Sequence, residues 1–132
     1  MKFTVMVEPA AKARPRATVI HGHASMYTPK KTVDLEQAIR KAGMEEGTTF
    51  DKDDALSMDI RFVVLKPKSA PKKRVFCTKR PDLDNMTKAV LDALNKYVYP
   101  DDSQIIALST IKHYGEPPRI EVTIQKLTSI MT

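Results

Sequence analysis

Arg80-Pro81-Asp82-Leu83-Asp84-Asn85-Met86-Thr87-Lys88-Ala89-Val90-Leu91-Asp92-Ala93-Leu94 is the stretch from which the rest of the chain is read. It predicts a helix over residues 84–98, broken by Pro100-Asp101-Asp102-Ser103. At about 100° per residue, with Asp84 at zero, Lys88 falls near about 40° and Asp92 near about 80°. Leu91, Val98, Thr87, Leu94, Leu83 and Val90 fill the arc on the other side. The charged stripe therefore borders the core stripe, whereas a merely solubilising face is centred opposite it. A carboxylate and an ammonium group held at the edge of a core have fixed positions.

Asp82 and Asp84 stand two residues apart, before and at the predicted helix start. In an extended backbone both carboxylates point the same way. Their repulsion is relieved by a hard divalent cation, and Mg²⁺ prefers oxygen ligands while keeping waters for a phosphate and an attacking water. Asp101 and Asp102 offer further carboxylates at the start of the next strand. Read along the helix axis they lie more than about 20 Å away, so a shared site requires the fold to return the strand start beside the helix start. Each residue also has an ordinary role. Asp84 can cap a helix, Asp82 can stabilise its dipole, Asp84 and Lys88 can form an i,i+4 pair, and Asp101-Asp102 can be a turn. Their coincidence beside a basic segment is what favours a site.

Residues 2–8 alternate as a strand, with Phe3, Val5 and Val7 on one face. Residues 9–30 hold three prolines and read as a long loop, with a short strand near Val19-Ile20 or Met26-Tyr27 as an option. A helix follows from Thr32 or Asp34 to Glu46, stopped at Gly47. Leu56–Leu65 reads as a partly buried strand, and Lys66–Pro81 as a loop. Ile105–Tyr114 and Arg119–Leu127 read as strands joined into a hairpin by Tyr114-Gly115-Glu116-Pro117-Pro118. The order β-α-β-α-β-β predicts a single small α/β domain over 1–132, a mixed sheet of about four strands with two main helices.

The chain carries 22 Lys and Arg against 16 Asp and Glu, a formal charge of +6. A basic protein suits a polyanion, because neutralised phosphates release counterions. The distribution is more informative than the sum. Lys66, Lys68, Lys72, Lys73, Arg74, Lys79 and Arg80 share an acid-free segment, and so do Lys12, Arg14, Arg16, Lys30 and Lys31. Residues 9–31 and 66–81 are thus predicted as basic loops suited to a polyanion. The single Cys77 excludes an internal disulfide and a four-cysteine zinc site. No run of about 20 apolar residues spans a membrane, and the N-terminus lacks the apolar core of a signal peptide. A cytoplasmic location without membrane partners is expected.

The motif Asp82-Leu83-Asp84-Asn85, Lys88-Ala89, Asp92-Ala93-Leu94, then Asp101-Asp102-x-Gln104, resembles the RusA-type Holliday junction resolvases, a family common in phages and prophages. Lys12-x-Arg14-Pro15-Arg16 followed by Tyr27-Thr28-Pro29-Lys30-Lys31-Thr32 is similar to the N-terminal signature of one branch of that family. The resemblance implies a RusA-like homodimeric fold and Mg²⁺-dependent paired incisions in four-way DNA junctions, with Mn²⁺ able to substitute and no small-molecule cofactor. It implies Asp82, Asp84 and Asp102 as metal-binding acids and Lys88 as the catalytic lysine. Asp101, a further candidate metal ligand, and Asp92, a supporting residue, fall on usually acidic positions, and Asn85 is a candidate for orienting a carboxylate or water. Lys12, Arg14, Arg16, Lys30, Lys31, Lys72, Lys73, Arg74, Lys79 and Arg80 are the candidate DNA contacts. Many members carry a tryptophan shortly before the paired acids, where this chain has Tyr97 and Tyr99.

Other features carry less. His21-Gly22-His23 lacks a third ligand at metal spacing, and the isolated glycines exclude a phosphate-cradling loop. Core packing is expected for Tyr97, while Phe76 is the aromatic most suited to DNA. Two competing readings are a non-catalytic nucleic-acid-binding module, with the acids as caps, and a less selective nuclease of branched DNA.

Overall fold

The computed structural model describes residues 1–13 and 16–128. Its main sheet contains β1 (Lys2–Val5), β4 (Ala55–Val64), β5 (Ile105–Tyr114) and β6 (Arg119–Leu127), in the order β1-β6-β4-β5. A separate hairpin pairs β2 (Arg16–Ile20) with β3 (His23–Tyr27). Helices α1 (Lys30–Glu46) and α2 (Leu83–Leu94) complete the α/β domain, with a short 3₁₀ turn over Asp102–Gln104. The mixed four-stranded sheet and the two helices agree with the sequence reading.

Alternation along the strands decides which face the helices cover. Leu56, Met58, Ile60 and Phe62 of β4 are fully buried, with Ile120, Val122 and Ile124 of β6 and Phe3 and Val5 of β1 beside them. The intervening residues Asp59, Arg61, Ser109, Glu121 and Thr123 form a polar outer face. Burying a side chain of this size stabilises by roughly 1.5–3 kcal/mol. Helix α1 buries Leu35, Ile39 and Gly43, one turn apart. A Cβ at Gly43 would lie 2.9 Å from Leu94 Cδ2 and 3.2 Å from Val98 Cγ2, so glycine sets how closely α1 approaches α2.

Strand pairing departs from expectation in one respect. β5 and β6 are not a hairpin, since β4 lies between them. β5 runs parallel to β4 because α2 is the crossover that returns the chain to the same end of the sheet. The chain then turns past the end of β4, where the Gly115 amide donates to the Val64 carbonyl at 3.1 Å. A Cβ on Gly115 would lie 2.8 Å from Val63 Cγ1, so a side chain there would obstruct this passage. β6 comes back antiparallel on the other side of β4. β5 is left as an edge strand.

Smaller differences follow local chemistry. β1 ends at Val5, short of the predicted residue 8, and the predicted loop contains a complete hairpin. α2 ends at Leu94, because Lys96 adopts a left-handed φ of 69° and closes a tight turn with its amide on the Tyr99 carbonyl at 2.8 Å. That turn corrects the expectation for Tyr97. Tyr99 is in the core, while Tyr97 is about half exposed, with the Arg40 guanidinium stacked 4.0 Å from its ring centre. Gly47 stops α1 as read, at a φ of 90°.

Candidate active site

Helix α2 presents the predicted stripe as drawn from its spacing. Met86, Thr87, Ala89, Val90, Ala93 and Leu94 are buried, whereas Asp84 and Lys88 are exposed and Asp92 is half-buried. Leu83 and Leu91 lie partly buried between the charged and buried rows. Together with Leu108 and Thr110 of β5, residues Leu83, Asp84, Thr87, Lys88 and Leu91 line an open groove of about 520 Å³. Its two charged groups are thus one carboxylate and one ammonium, set against a largely apolar wall.

Asp82 occupies the N-cap position of α2, yet its side chain makes no capping hydrogen bond. Among the described residues neither Asp82 nor Asp84 forms an ion pair, and Lys88 is not within salt-bridge distance of either. The ordinary cap and i,i+4 roles are therefore unfilled, and these charges remain available. The backbone leading into Asp82 is held from β5. Lys112 Nζ donates to the carbonyls of Lys79 and Pro81, each at 2.7 Å. Sequence reading missed Lys112, because nothing in a lysine's spacing announces carbonyl partners more than thirty residues away.

Asp101 and Asp102 divide their work. Asp101 caps the 3₁₀ turn, accepting from the Ser103 hydroxyl at 2.6 Å, while its amide donates to Gln104 Oε1 at 3.0 Å. The Ser103 hydroxyl holds the Asp101 carboxyl below its usual range. Asp102 is half-buried, and its amide donates to Asn95 Oδ1 at 3.0 Å. That contact ties Asp102 to the C-terminal end of α2, whereas Asp84 stands in the first turn. The two positions are separated by about 16 Å of helix rise. Accordingly, among the described residues of one chain no group of three His, Cys, Asp or Glu side chains is placed to hold a metal ion. Asp82 and Asp84 are brought to one end of the helix and Asp102 to the other.

Tyr99 sits beneath this far end. Its hydroxyl donates to the Leu91 carbonyl at 3.0 Å. Burial, and then the nearby charges of Asp102 and Asp92, push its pKa well above the ordinary phenol value.

The basic residues fall into two sets. Lys30, Lys31, Lys72, Lys73, Arg74, Lys79 and Arg80 are exposed. Lys12 is different, because its ammonium lies 2.6 Å from Asp92 Oδ2 and 3.0 Å from Glu36 Oε1. Burial alone lowers its pKa, but the hydrogen bonds and charges of Asp92 and Glu36 raise it further, and the net shift is upward. Arg14 lies outside the described residues, as does the side chain of Arg16. Asn85 is exposed, and its carbonyl accepts a long hydrogen bond of 3.4 Å from the Lys12 amide. Phe76 is exposed within the basic loop, as read.

Known proteins share this arrangement of sequence. Residues 7–125 match the family described as Endodeoxyribonuclease RusA. The chain is 37% identical to the crossover junction endodeoxyribonuclease rusA of Lactococcus phage r1t, across 96% of this chain and 100% of that protein. It is 34% identical to the uncharacterised protein YqaN of Bacillus subtilis strain 168, across 98% of both. The site helix and both acid pairs lie inside the matched region, and no helix of the described residues is long and apolar enough to cross a membrane. A match over most of the chain, supported by a full-length relative, establishes that the protein belongs to the RusA endodeoxyribonuclease family.

Proposed function

We propose that this endodeoxyribonuclease resolves four-way DNA junctions, as a homodimer, by Mg²⁺-dependent hydrolysis of two symmetric phosphodiesters. The observation that carries the reading is the trio Asp82, Asp84 and Lys88, uncommitted side chains at the start of α2 beside an acid-free basic loop. The relative from Lactococcus phage r1t is named for the same activity.

The donor set suits a hard cation. Mg²⁺ is commonly held by one or two carboxylates, completed by waters and substrate phosphate, and Asp82 and Asp84 are two such carboxylates. Mn²⁺ fits the same oxygen ligands. Bound there, the ion supplies a polarised phosphoryl oxygen and a water of lowered pKa. Asp82 and Asp84 hold it and orient the water. Lys88, one turn further along α2, lays positive charge beside the charge that develops on the phosphate, a preorganised contribution. Asn85, exposed next to Asp84, orients a carboxylate or water, and Lys112 keeps the preceding backbone in place.

Asp102 is the third acid of the proposal, with Asp101 as a further ligand beside it and Asp92 in a supporting role through its pair with Lys12. Because one chain ties it to the far end of α2, its joining the Asp82–Asp84 pair is a property of the assembled dimer. Two features support assembly on this side. β5 is an edge strand whose outer side, among the described residues, is bridged only near its end, by Phe76 at His113, and its Ile106 and Leu108 are exposed beside the apolar wall of the groove. A C2 dimer also matches a junction that needs two equivalent cuts. The exposed lysines and arginines of 30–31 and 72–80 supply phosphate contacts, which position DNA without reading bases.

The test uses labelled four-way junctions, flaps, forks and linear duplex, with Mg²⁺ or with EDTA. The proposal predicts paired, symmetric cuts in the junction, abolished by EDTA. Equal cutting of flaps and forks instead makes the protein a general branched-DNA nuclease. Binding without cutting in any divalent metal makes it a non-catalytic module and overturns the proposal.

A further inference from the structure

The hairpin of β2 and β3 has no place in the domain core. Neither strand pairs with the main sheet. Its turn residues His21 and Gly22 both adopt left-handed φ angles, 51° and 79°, the geometry that matches the twist of a tight two-residue hairpin. The pairing register gives the ribbon two unlike faces. Ala17 pairs with Met26 and Val19 with Ala24, which makes one face wholly apolar. Thr18 pairs with Ser25, Ile20 with His23 and Arg16 with Tyr27 at the alternate register positions, where Thr18, His23, Ser25 and Tyr27 bring polar groups. The apolar face is in water, with Val19 72% and Met26 65% exposed. An isolated two-stranded ribbon is marginal in water, and this one exposes the surface that ordinarily holds a ribbon to something else.

Both feet of the ribbon are fastened beside the site. Before it, Ala13 donates to Thr32 Oγ1 at 3.1 Å, and Lys12 is paired to Asp92 of α2. After it, Pro29 caps α1 and accepts from the Thr32 amide at 3.0 Å. A base tied to both helices and a bare ribbon describe an arm rooted near the first turn of α2, where the Lys12 amide meets the Asn85 carbonyl at 3.4 Å.

Charge identifies what the arm meets. Residues 9–33 contain no Asp or Glu, and the chain as a whole carries +6. A second ribbon, or any basic surface of another copy, is repelled there, while a polyanion is attracted. An unbroken duplex buries its base faces in the stack and presents grooves and phosphates. Where DNA arms part, base pairs expose flat apolar faces. Branched DNA, the substrate of the junction-cleaving reading, offers an apolar surface and phosphates together, which are the two surfaces this ribbon complements.

We propose that the β2–β3 ribbon is the branch-point reader of this enzyme, packing Ala17, Val19, Ala24 and Met26 on the base faces exposed where DNA arms separate. Thr18, His23, Ser25 and Tyr27 then face the flanking backbone. This rests on the junction-cleaving reading above, and it assigns the selectivity for branches to an element distinct from Asp82, Asp84 and Lys88.

The experiment compares the wild type with the double variant Val19→Ser/Met26→Ser, and with a chain in which residues 17–26 are shortened to a Gly-Asn turn. Binding is measured in EDTA to a four-way junction and to a linear duplex of matched sequence, with 2-aminopurine next to the branch point. The inference predicts an affinity loss of about ten-fold or more for the junction in both variants, the scale of losing a stacking contact. Duplex affinity stays nearly constant, and the fluorescence change at the branch point disappears. Equal losses on junction and duplex make the ribbon a plain phosphate contact and overturn the inference, as does unchanged junction binding. A dimer that becomes monomeric in the variants, by sedimentation, shows the apolar face to hold a second copy and also overturns it. A wild type with no preference for the junction sinks the junction reading itself, a result separate from any of these.

Discussion

The Lys12 ammonium lies 2.6 Å from Asp92 Oδ2 and 3.0 Å from Glu36 Oε1, joining the segment before the hairpin to both helices. Among the described residues, Glu36 Oε1 is buried and has no partner besides this ammonium. Lys12→Ala therefore leaves two neighbouring carboxylates unpaired. It is predicted to destabilise the fold by about 1–3 kcal/mol in urea unfolding, below the 3–5 of a fully buried pair because the groups keep some water. The same variant separates this role from DNA binding. A lost phosphate contact lowers the salt slope of duplex binding by about 0.9, whereas a lysine already paired leaves it unchanged, and the unchanged slope is predicted.

Alkaline stability follows from two groups. Lys12 has a folded pKa above its ordinary 10.5, so its contribution is complete below that pH and is lost as pH rises through the folded value. Tyr99 is also raised, first by burial and then by Asp102 and Asp92, so the unfolded chain releases its proton from about pH 10 while the folded chain retains it. Both shifts have the same sign. Urea unfolding followed from pH 8 to 11 is predicted to show stability constant at first and falling above about pH 10. Tyr99→Phe loses the hydrogen bond to Leu91 O, about 0.5–1.5 kcal/mol at neutral pH, and flattens the alkaline fall. A fall of undiminished steepness in Tyr99→Phe contradicts the assignment.

Lys112 gives a prediction about positioning. Its ammonium holds the carbonyls of Lys79 and Pro81 just before Asp82. Lys112→Met is predicted to lower kcat for junction cleavage about ten-fold with KM nearly constant, since small displacements of reacting groups cost rates of this order or more. Lys112→Arg, which keeps the donors, restores part of the rate. A rise in KM alone, steeper in salt, makes Lys112 a DNA contact instead.

How much of this was legible in the sequence depends on the range of each interaction. The Asp84–Lys88 stripe and its border with Leu83, Thr87 and Leu91 depend on helical spacing alone, and the structure repeats them. The order of β5 and β6 depends on which strand fills the space beside β4, a non-local choice that the turn residues at 115–118 do not encode. The hairpin was half visible, since Val19 and Tyr27 are strand formers, but His21-Gly22 is a weaker turn signal than Asn-Gly. Core packing was expected of Tyr97 and is found for Tyr99, because a single left-handed residue, Lys96, decides which ring faces the core. The position of Asp102 was not legible either. It is set by an amide hydrogen bond to Asn95 across the turn, and no side-chain spacing reports such a contact.

The claim on which the account depends is that Asp82 and Asp84 serve a cation and phosphate instead of the helix they begin. It is tested most directly by Asp84→Asn, assayed in parallel for cleavage of a labelled four-way junction in Mg²⁺ and for binding of the same junction in EDTA. The amide keeps size and polarity, so the fold is retained, but it removes a charged metal ligand. The account predicts cleavage reduced by more than the roughly 10–100-fold that losing an outer-shell partner costs, with junction binding equal to or tighter than wild type because one repulsive charge is gone. Cleavage near the wild-type rate would contradict it.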